Sequence, residues 1–401
     1  MGNREIKQGI YAVGAIDWDR RLFDELIPLP DGTSYNAYLV TGEKKVALID
    51  TVDPGKTREL IGHLAELQIN RIDYIITHHA EQDHSGSLPE VLELYPEAKV
   101  VTNEKCRQML LDLLPINAEQ FITIKDGATL DLGGRTLEFI FLPWVHWPET
   151  MVTYLLEEQV LFSCDFFGSH MAQSDLFVSA PSRTYEAAKR YYAEIMMPFR
   201  INIVSHLKRL AQKKISCIAP SHGPIYSDPS FILDAYAQWT ADKVANKVLI
   251  PFVSMHGSTR KMVDCLVECL QQRGIPVMPF NIPRTDVGEL AKELVDAATV
   301  IIASPMVLAG AHPAMVSACY LINALRPKTR FASIIGSFGW GGKMIEQLQA
   351  LMPNLKAEFL EPVFIKGIPR EADFRSLANL SDLIARKHEQ VGIHAPEAPK
   401  R

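Results

Sequence analysis

The sequence predicts an α/β protein in two parts: a layered unit with mixed sheets, then a doubly wound, five-stranded parallel sheet. Three observations predict it. Short runs of β-branched and aromatic residues crowd the first 245 or so positions, a regular strand-helix alternation begins at Lys247, and 401 residues exceed what one core usually supports. The expected parts are 1–246 and 247–395.

In the first part, Tyr35 to Val40, Val46 to Asp50 and Ile72 to Thr77 read as strands separated by turn residues such as Thr41-Gly42-Glu43-Lys44. Val100-Val101, Leu137 to Leu142, Met151 to Leu155, Val160 to Ser163 and Ile215 to Ala219 are further strands, and Thr184 to Leu210 has helical periodicity. In the second part, strands at Val248 to Val253, Pro276 to Phe280, Val300 to Ala303, Phe331 to Gly336 and Phe359 to Ile365 alternate with helices. Those helices include Thr259 to Arg273, Val287 to Ala297 and a closing one at Phe374 to Glu389. The tail after Val391, with Pro396 and Pro399, is expected to be disordered.

Composition narrows the function. A hydrophobic share of 47% with 22% charged residues is that of a soluble globular chain, and a net charge of -6 argues against a nucleic-acid or anionic-membrane partner. Cys106, Cys164, Cys217, Cys265, Cys269 and Cys319 form no Cys-x-x-Cys pair, which fits free thiols in a reducing compartment. The N-terminus has no apolar signal core, so a cytoplasmic location is expected. Val300 to Leu325 is largely apolar, but Pro305, Gly310, His312 and Pro313 interrupt it, and strand, loop and helix fit better than a membrane span.

The chemistry concentrates at His79-Ala80-Glu81-Gln82-Asp83-His84, four potential metal ligands in six residues after a strand. Imidazole suits zinc, copper, nickel and iron, whereas a half-carboxylate set leans toward iron or manganese. His146, Asp165 and His222 each follow the end of a predicted strand, where side chains are fixed and loops leave room for ligands. Taken singly each is a weak signal, since a lone His after a strand is more often a capped or hydrogen-bonded structural residue than a ligand.

In the second part, Ser254-Met255-His256-Gly257-Ser258-Thr259 follows the first strand and opens the first helix. Its hydroxyls, glycine and helix N-terminus suit a phosphate, although an ordinary helix cap has the same composition. There is no G-x-G-x-x-G and no P-loop lysine, so a monophosphate fits better than a dinucleotide or nucleoside triphosphate. Ser304-Pro305-Met306-Val307-Leu308-Ala309-Gly310 and Gly336-Ser337-Phe338-Gly339-Trp340-Gly341-Gly342 follow the third and fourth strands, so three loops converge on one crevice.

His-x-Glu-x-Asp-His, then a spaced His, Asp and His-Gly-Pro, resembles the metallo-β-lactamase superfamily, with Glu81 where that superfamily normally has a second His. Together with the flavodoxin-like second part, the chain resembles the flavodiiron proteins, also called A-type flavoproteins, over almost its whole length. The resemblance implies an αββα sandwich followed by a flavodoxin-like domain. It implies two irons: one held by His79, Glu81 and His146, the other by Asp83, His84 and His222, with Asp165 bridging. Glu81 and Asp165 are thereby the residues at the reacting centre, and His78 is structural.

It also implies FMN, with its phosphate in the 254–259 loop and its ring between Pro305 to Gly310 and Ser337 to Gly341, flanked by Phe338 and Trp340. The apolar run Met306 to Ala309 departs from the family's polar loop, which predicts an altered flavin potential. Asp24 stands where the family often has a His, and Tyr191-Tyr192 matches an aromatic pair near the metals. The implied activity is reduction of dioxygen to water or nitric oxide to nitrous oxide, with electrons from rubredoxin or a reduced deazaflavin coenzyme, in a head-to-tail homodimer or a tetramer of two such dimers. The alternative is a zinc hydrolase of the metallo-β-lactamase superfamily, against which Glu81 speaks.

Overall fold

The structure, a computed structural model, describes residues 4–393. The chain divides into two compact units. The first runs to Tyr192 and includes Phe199–Thr240; the second comprises Ala193–Pro198 and the residues from Ala241 onward. From residue 394 the tail, and with it the end of the expected second part, lies outside the described residues.

The first unit is an αββα sandwich. One sheet has the order Arg4–Lys7, Ile10–Ala12, Tyr38–Thr41, Val46–Ile49, Tyr74–Ile76, Lys99–Asn103 and Phe121–Ile124, antiparallel at first and parallel from Val46–Ile49 onward. The other has the order Thr129–Asp131, Thr136–Phe141, Met151–Leu155, Val160–Cys164 and Cys217–Pro220, the last pair being parallel. Period-two alternation explains the layering. Val40, Ala47, Ile49, Ile76 and Val101 face Leu137, Phe139, Met151, Leu155 and Phe162 in the inner core, whereas Leu39, Leu48, Ile75 and Val100 pack outward on Leu60, Leu64 and Val91 of the helices Thr57–Glu66 and Leu88–Leu94. Arg209, in the helix Arg200–Leu210, donates to the Phe141 carbonyl and so ties that helix to the second sheet.

The second unit is a doubly wound parallel sheet ordered Val277–Asn281, Ala245–Phe252, Ala297–Val307 and Phe331–Phe338, with an outer position shared by Glu358–Phe359 and Val363–Lys366. The helices Ser258–Gln272 and Glu371–Gln390 pack Met262, Leu266, Leu270, Leu377 and Ile384 against Ile250, Ile301 and Ile335 of the sheet.

Three expectations need correction. Tyr35 to Val40 is two strands, Thr33–Tyr35 and Tyr38–Thr41, in different sheets. Asn36 breaks the run because its side chain donates to the carbonyls of Pro220 and Gly223, both at 2.8 Å. Thr184 to Leu210 is helical throughout, as expected, although not uniformly α: Pro181–Tyr191 passes through a π turn, Tyr192–Met196, and a 3-10 turn, Met197–Phe199, which holds Pro198, into Arg200–Leu210. The strand placed at Val300 to Ala303 runs from Ala297 to Val307, through residues read as a loop. Phe359 to Ile365 is interrupted at residues 360–362, where Pro362 removes a donor. No helix among the described residues is long and apolar enough to cross a membrane.

Candidate metal centre and flavin loops

The strand Tyr74–Ile76 ends just before His79, and the short helix Gln82–Ser85 turns Asp83 and His84 inward. Asp165 and His222 follow the neighbouring strands Val160–Cys164 and Cys217–Pro220, and His146 comes from the loop between Thr136–Phe141 and Met151–Leu155. Gly223 fixes the last approach. Its φ is +80°, and a Cβ there would lie 2.1 Å from Ser169 Oγ, so only glycine lets the backbone turn beside His222.

The side chains form two groups around Asp165. Glu81 Oε2 lies 3.1 Å from His79 Nε2 and 3.2 Å from His146 Nε2, and Asp165 Oδ2 is 3.5 Å from both imidazoles. On the other side, His84 Nε2 is 3.3 Å from Asp83 Oδ1, and His222 Nε2 is 3.1 Å from Asp83 Oδ2. Asp165 Oδ1 lies 3.0 Å from His84 and 3.3 Å from His222. All seven side chains expected from the sequence are therefore together.

These contacts fit cations better than hydrogen bonds. Both oxygens of Asp83, His84 Nε2 and Asp165 Oδ2 are buried without a hydrogen-bond partner among the described residues, although they lie at ion-pair distance from one another. Nitrogen and oxygen lone pairs converging on shared points, unsatisfied by one another, suit metal ions there. The charge balance agrees. Burial opposes charging His79, but hydrogen bonds to Glu149 and Glu81 raise its pKa to about 10. Burial likewise opposes charge on His222, and Asp165 and Asp83 raise it to about 10; His84 and His146 reach about 9 against the same opposition. The Asp165 carboxyl, which burial alone would push up, is held well below the usual range by His84, His146 and His222. The cluster thus attracts positive charge, as protons or as metal.

The surroundings contain residues that sequence reasoning missed. Glu149 Oε1 accepts from His79 Nδ1 at 2.7 Å and from the Ala80 backbone N–H at 3.1 Å. His222 Nδ1 donates to the Ser34 carbonyl at 2.7 Å. His78 is bound at Nδ1 by Asp50 and at Nε2 by Thr153, each at 2.7 Å, so it faces away from the ligand groups. The aromatic pair splits: Tyr191 donates to Asp165 Oδ1 at 2.9 Å, whereas Tyr192 packs on Tyr236 and Trp239. Asp24 sits at the tip of the hairpin Leu22–Phe23/Ile27–Pro28 with φ of +50°; burial and then the charges of Glu81 and Asp83 push its carboxyl pKa up. Phe23 beside it packs on His170, with ring centroids 5.0 Å apart.

In the second unit the three expected loops follow adjacent strands at one end of the sheet. Gly257 caps the helix Ser258–Gln272 at φ +91° and has no side chain to occupy the first N–H groups, and a Cβ there would meet nothing within 4 Å. The Ser254 hydroxyl accepts the Arg260 N–H at 3.2 Å, and the open turn at Gly257 before it fits a phosphate. Beneath it, the buried hydroxyls of Thr259 and Ser337 lie 3.5 Å apart. Pro305 to Gly310 is not the loop expected. Pro305 pairs in register with Ser337, and the chain reverses at Leu308-Ala309, with φ of +49° and +63°, into Gly310–Ala311. This is a two-residue hairpin of the primed type, made without glycine or asparagine at its centre. Phe338 already stacks on Phe364 at 4.6 Å, while Trp340 is exposed.

A family model described as ODP family beta lactamase matches residues 33–223. The chain is 36% identical to a nitric oxide reductase of Moorella thermoacetica, over 95% of this chain and 97% of that one. The solved rubredoxin oxygen:oxidoreductase of Desulfovibrio gigas is 32% identical with a TM-score of 0.93, covering 97% of this chain and 99% of its own. The flavodiiron protein of Giardia intestinalis, at 25% identity, has a TM-score of 0.91 and 97% coverage of both chains. With the two-sided ligand set and the flavodoxin-like sheet in place, these matches establish that the chain belongs to the flavodiiron proteins.

Proposed function

We propose that this chain is an oxidoreductase that receives electrons at FMN and reduces dioxygen to water, nitric oxide to nitrous oxide, or both, at a diiron centre. The observation that carries this reading is Asp165, whose two oxygens address two separate ligand groups. His79, Glu81 and His146 would hold one iron and Asp83, His84 and His222 the other, with one oxygen of Asp165 available to each. Two ferrous ions, when bound, would supply the two electrons that turn two nitric oxides into nitrous oxide, and with two more from reduced FMN the four that dioxygen needs.

The protein's own part is to bind and orient. Glu149 and the Ser34 carbonyl fix the His79 and His222 rings so that Nε2 of each faces inward. Tyr191 holds the plane of Asp165 and donates its hydroxyl proton to Oδ1 over an oxygen–oxygen distance of 2.9 Å. Phe23, His170 and Tyr191 wall off the His222 side; burial and the neighbouring His222 push the His170 pKa well down, so that ring stays neutral. In the FMN-binding part, residues 247–395, the open turn at Gly257 takes the phosphate, and Pro305 to Gly310 with Ser337 to Gly341 border the ring. The hairpin there offers backbone groups rather than polar side chains, which supports an altered flavin potential. Residues 1–246 form the diiron part.

The donor is rubredoxin or a reduced deazaflavin coenzyme, the location is cytoplasmic, and the working form is a head-to-tail homodimer or a tetramer built from it. Glu81, 3.1 and 3.2 Å from two imidazoles, disfavours a zinc hydrolase. Steady-state consumption of each gas by the iron-loaded, FMN-loaded chain with a rubredoxin or chemical donor tests the reading. Consumption of neither gas contradicts it.

A further inference from the structure

The two halves of the metal centre have the same ligand inventory: two imidazoles, one terminal carboxylate and one oxygen of Asp165. What stands behind those ligands differs. His79 is backed by Glu149, a carboxylate with no solvent-exposed side-chain surface, at 2.7 Å. His222 is backed at the same distance by a neutral backbone carbonyl, that of Ser34. A carboxylate behind a coordinating imidazole strengthens it as a donor and adds a negative charge next to the ion.

The shared Asp165 is unequal as well. Oδ1, which faces His84 and His222, accepts the Tyr191 hydroxyl at 2.9 Å, whereas Oδ2, which faces His79 and His146, has no hydrogen bond among the described residues. An accepted hydrogen bond draws density from the oxygen, so Oδ1 is the weaker donor. Both differences favour the higher oxidation state on the His79 side. The other nearby carboxylates do not offset them. Asp50 is bound by the His78 ring and backbone N–H and backs no ligand imidazole, and Asp24 acts on Glu81 and Asp83, one in each half.

Resting on the diiron reading above, we propose that Glu149 and Tyr191 make the two iron positions unequal. A single added electron then settles at the Asp83, His84 and His222 position, while the His79, Glu81 and His146 position stays ferric. In balance, one electron from dithionite turns one of two ferric ions ferrous and leaves the other unchanged. Glu149 is here a positioning residue, acting through His79.

The test is ⁵⁷Fe Mössbauer spectroscopy of the iron-loaded full chain after one-electron reduction with dithionite, for the wild type, Glu149→Gln and Glu149→Asp. Glutamine can still accept from His79 Nδ1 but has no charge. In the wild type we expect one ferric and one ferrous component. Glu149→Gln should perturb the ferric component and lower the comproportionation constant about tenfold, about 59 mV for a one-electron couple, and Glu149→Asp should restore the constant toward the wild type. Perturbation of the ferrous component, or no change in either component, overturns the proposal. If Glu149→Gln does not fold, Tyr191→Phe decides: in that variant freeing Oδ1 must perturb the ferrous component and lower the constant, and an unchanged constant overturns the proposal. A wild-type chain without two irons by metal analysis overturns the diiron reading itself, and is recognised before any electron is added.

Discussion

Tyr191 donates its hydroxyl to Asp165 Oδ1 at 2.9 Å, and both side chains are buried. A hydrogen bond to a buried carboxylate contributes about 1.5 to 3 kcal/mol. Tyr191→Phe should therefore lower the unfolding free energy of the metal-free protein by about that amount, measured in denaturant. Because it also frees the plane of Asp165, gas consumption by the loaded variant should fall at least about fivefold with metal content unchanged, by analogy with lost second-layer contacts.

The hairpin at Leu308-Ala309 has two L-residues in the left-handed region, φ +49° and +63°. Such a conformation costs roughly 1 to 2 kcal/mol per residue, and primed turns favour Asn-Gly. Leu308→Asn combined with Ala309→Gly should raise stability by about 1 kcal/mol, since glycine returns part of the gain as unfolded-state entropy. Thermal unfolding of the full chain checks this, and a fall in stability contradicts the turn assignment.

These two features show what sequence alone could reach. The ligand cluster was legible because four ligands fall within six residues, and the strand ends before His146, Asp165 and His222 were legible from β-branched runs. Glu149 was not. Its role depends on the fold bringing it to His79, 70 positions away, and nothing in Trp147-Pro148-Glu149-Thr150 marks it. The hairpin was hidden by Pro305, which reads as a strand breaker yet sits paired with Ser337, and by a turn lacking glycine at its centre.

His388 gives a pH dependence independent of the metals. It is buried; Nδ1 donates to Asn246 Oδ1 and Nε2 accepts from the Thr299 hydroxyl, both at 2.7 Å, so the neutral ring is fully satisfied. Burial lowers its pKa to about 4. An unfolded chain, with its histidine near 6.5, takes up the proton first as pH falls. This contribution to stability is complete above about pH 6.5 and lost progressively down to about pH 4, on the order of 2 to 3 kcal/mol. Denaturant unfolding across that window should show the loss, and His388→Gln should flatten it.

Glu81 separates iron from zinc. Glu81→His gives the His79 side three imidazoles and removes its terminal carboxylate, a set that zinc favours. Expressed in medium holding both metals, the variant should bind zinc over iron at a ratio raised by about fivefold or more, read by elemental analysis, given the softer ligand set. An unchanged ratio contradicts the role given to Glu81.

The most direct measurement is the metal and flavin content of the wild-type chain purified from iron-replete cells. The account predicts two irons and one FMN per chain. Two zincs without flavin, or flavin without iron, would contradict it.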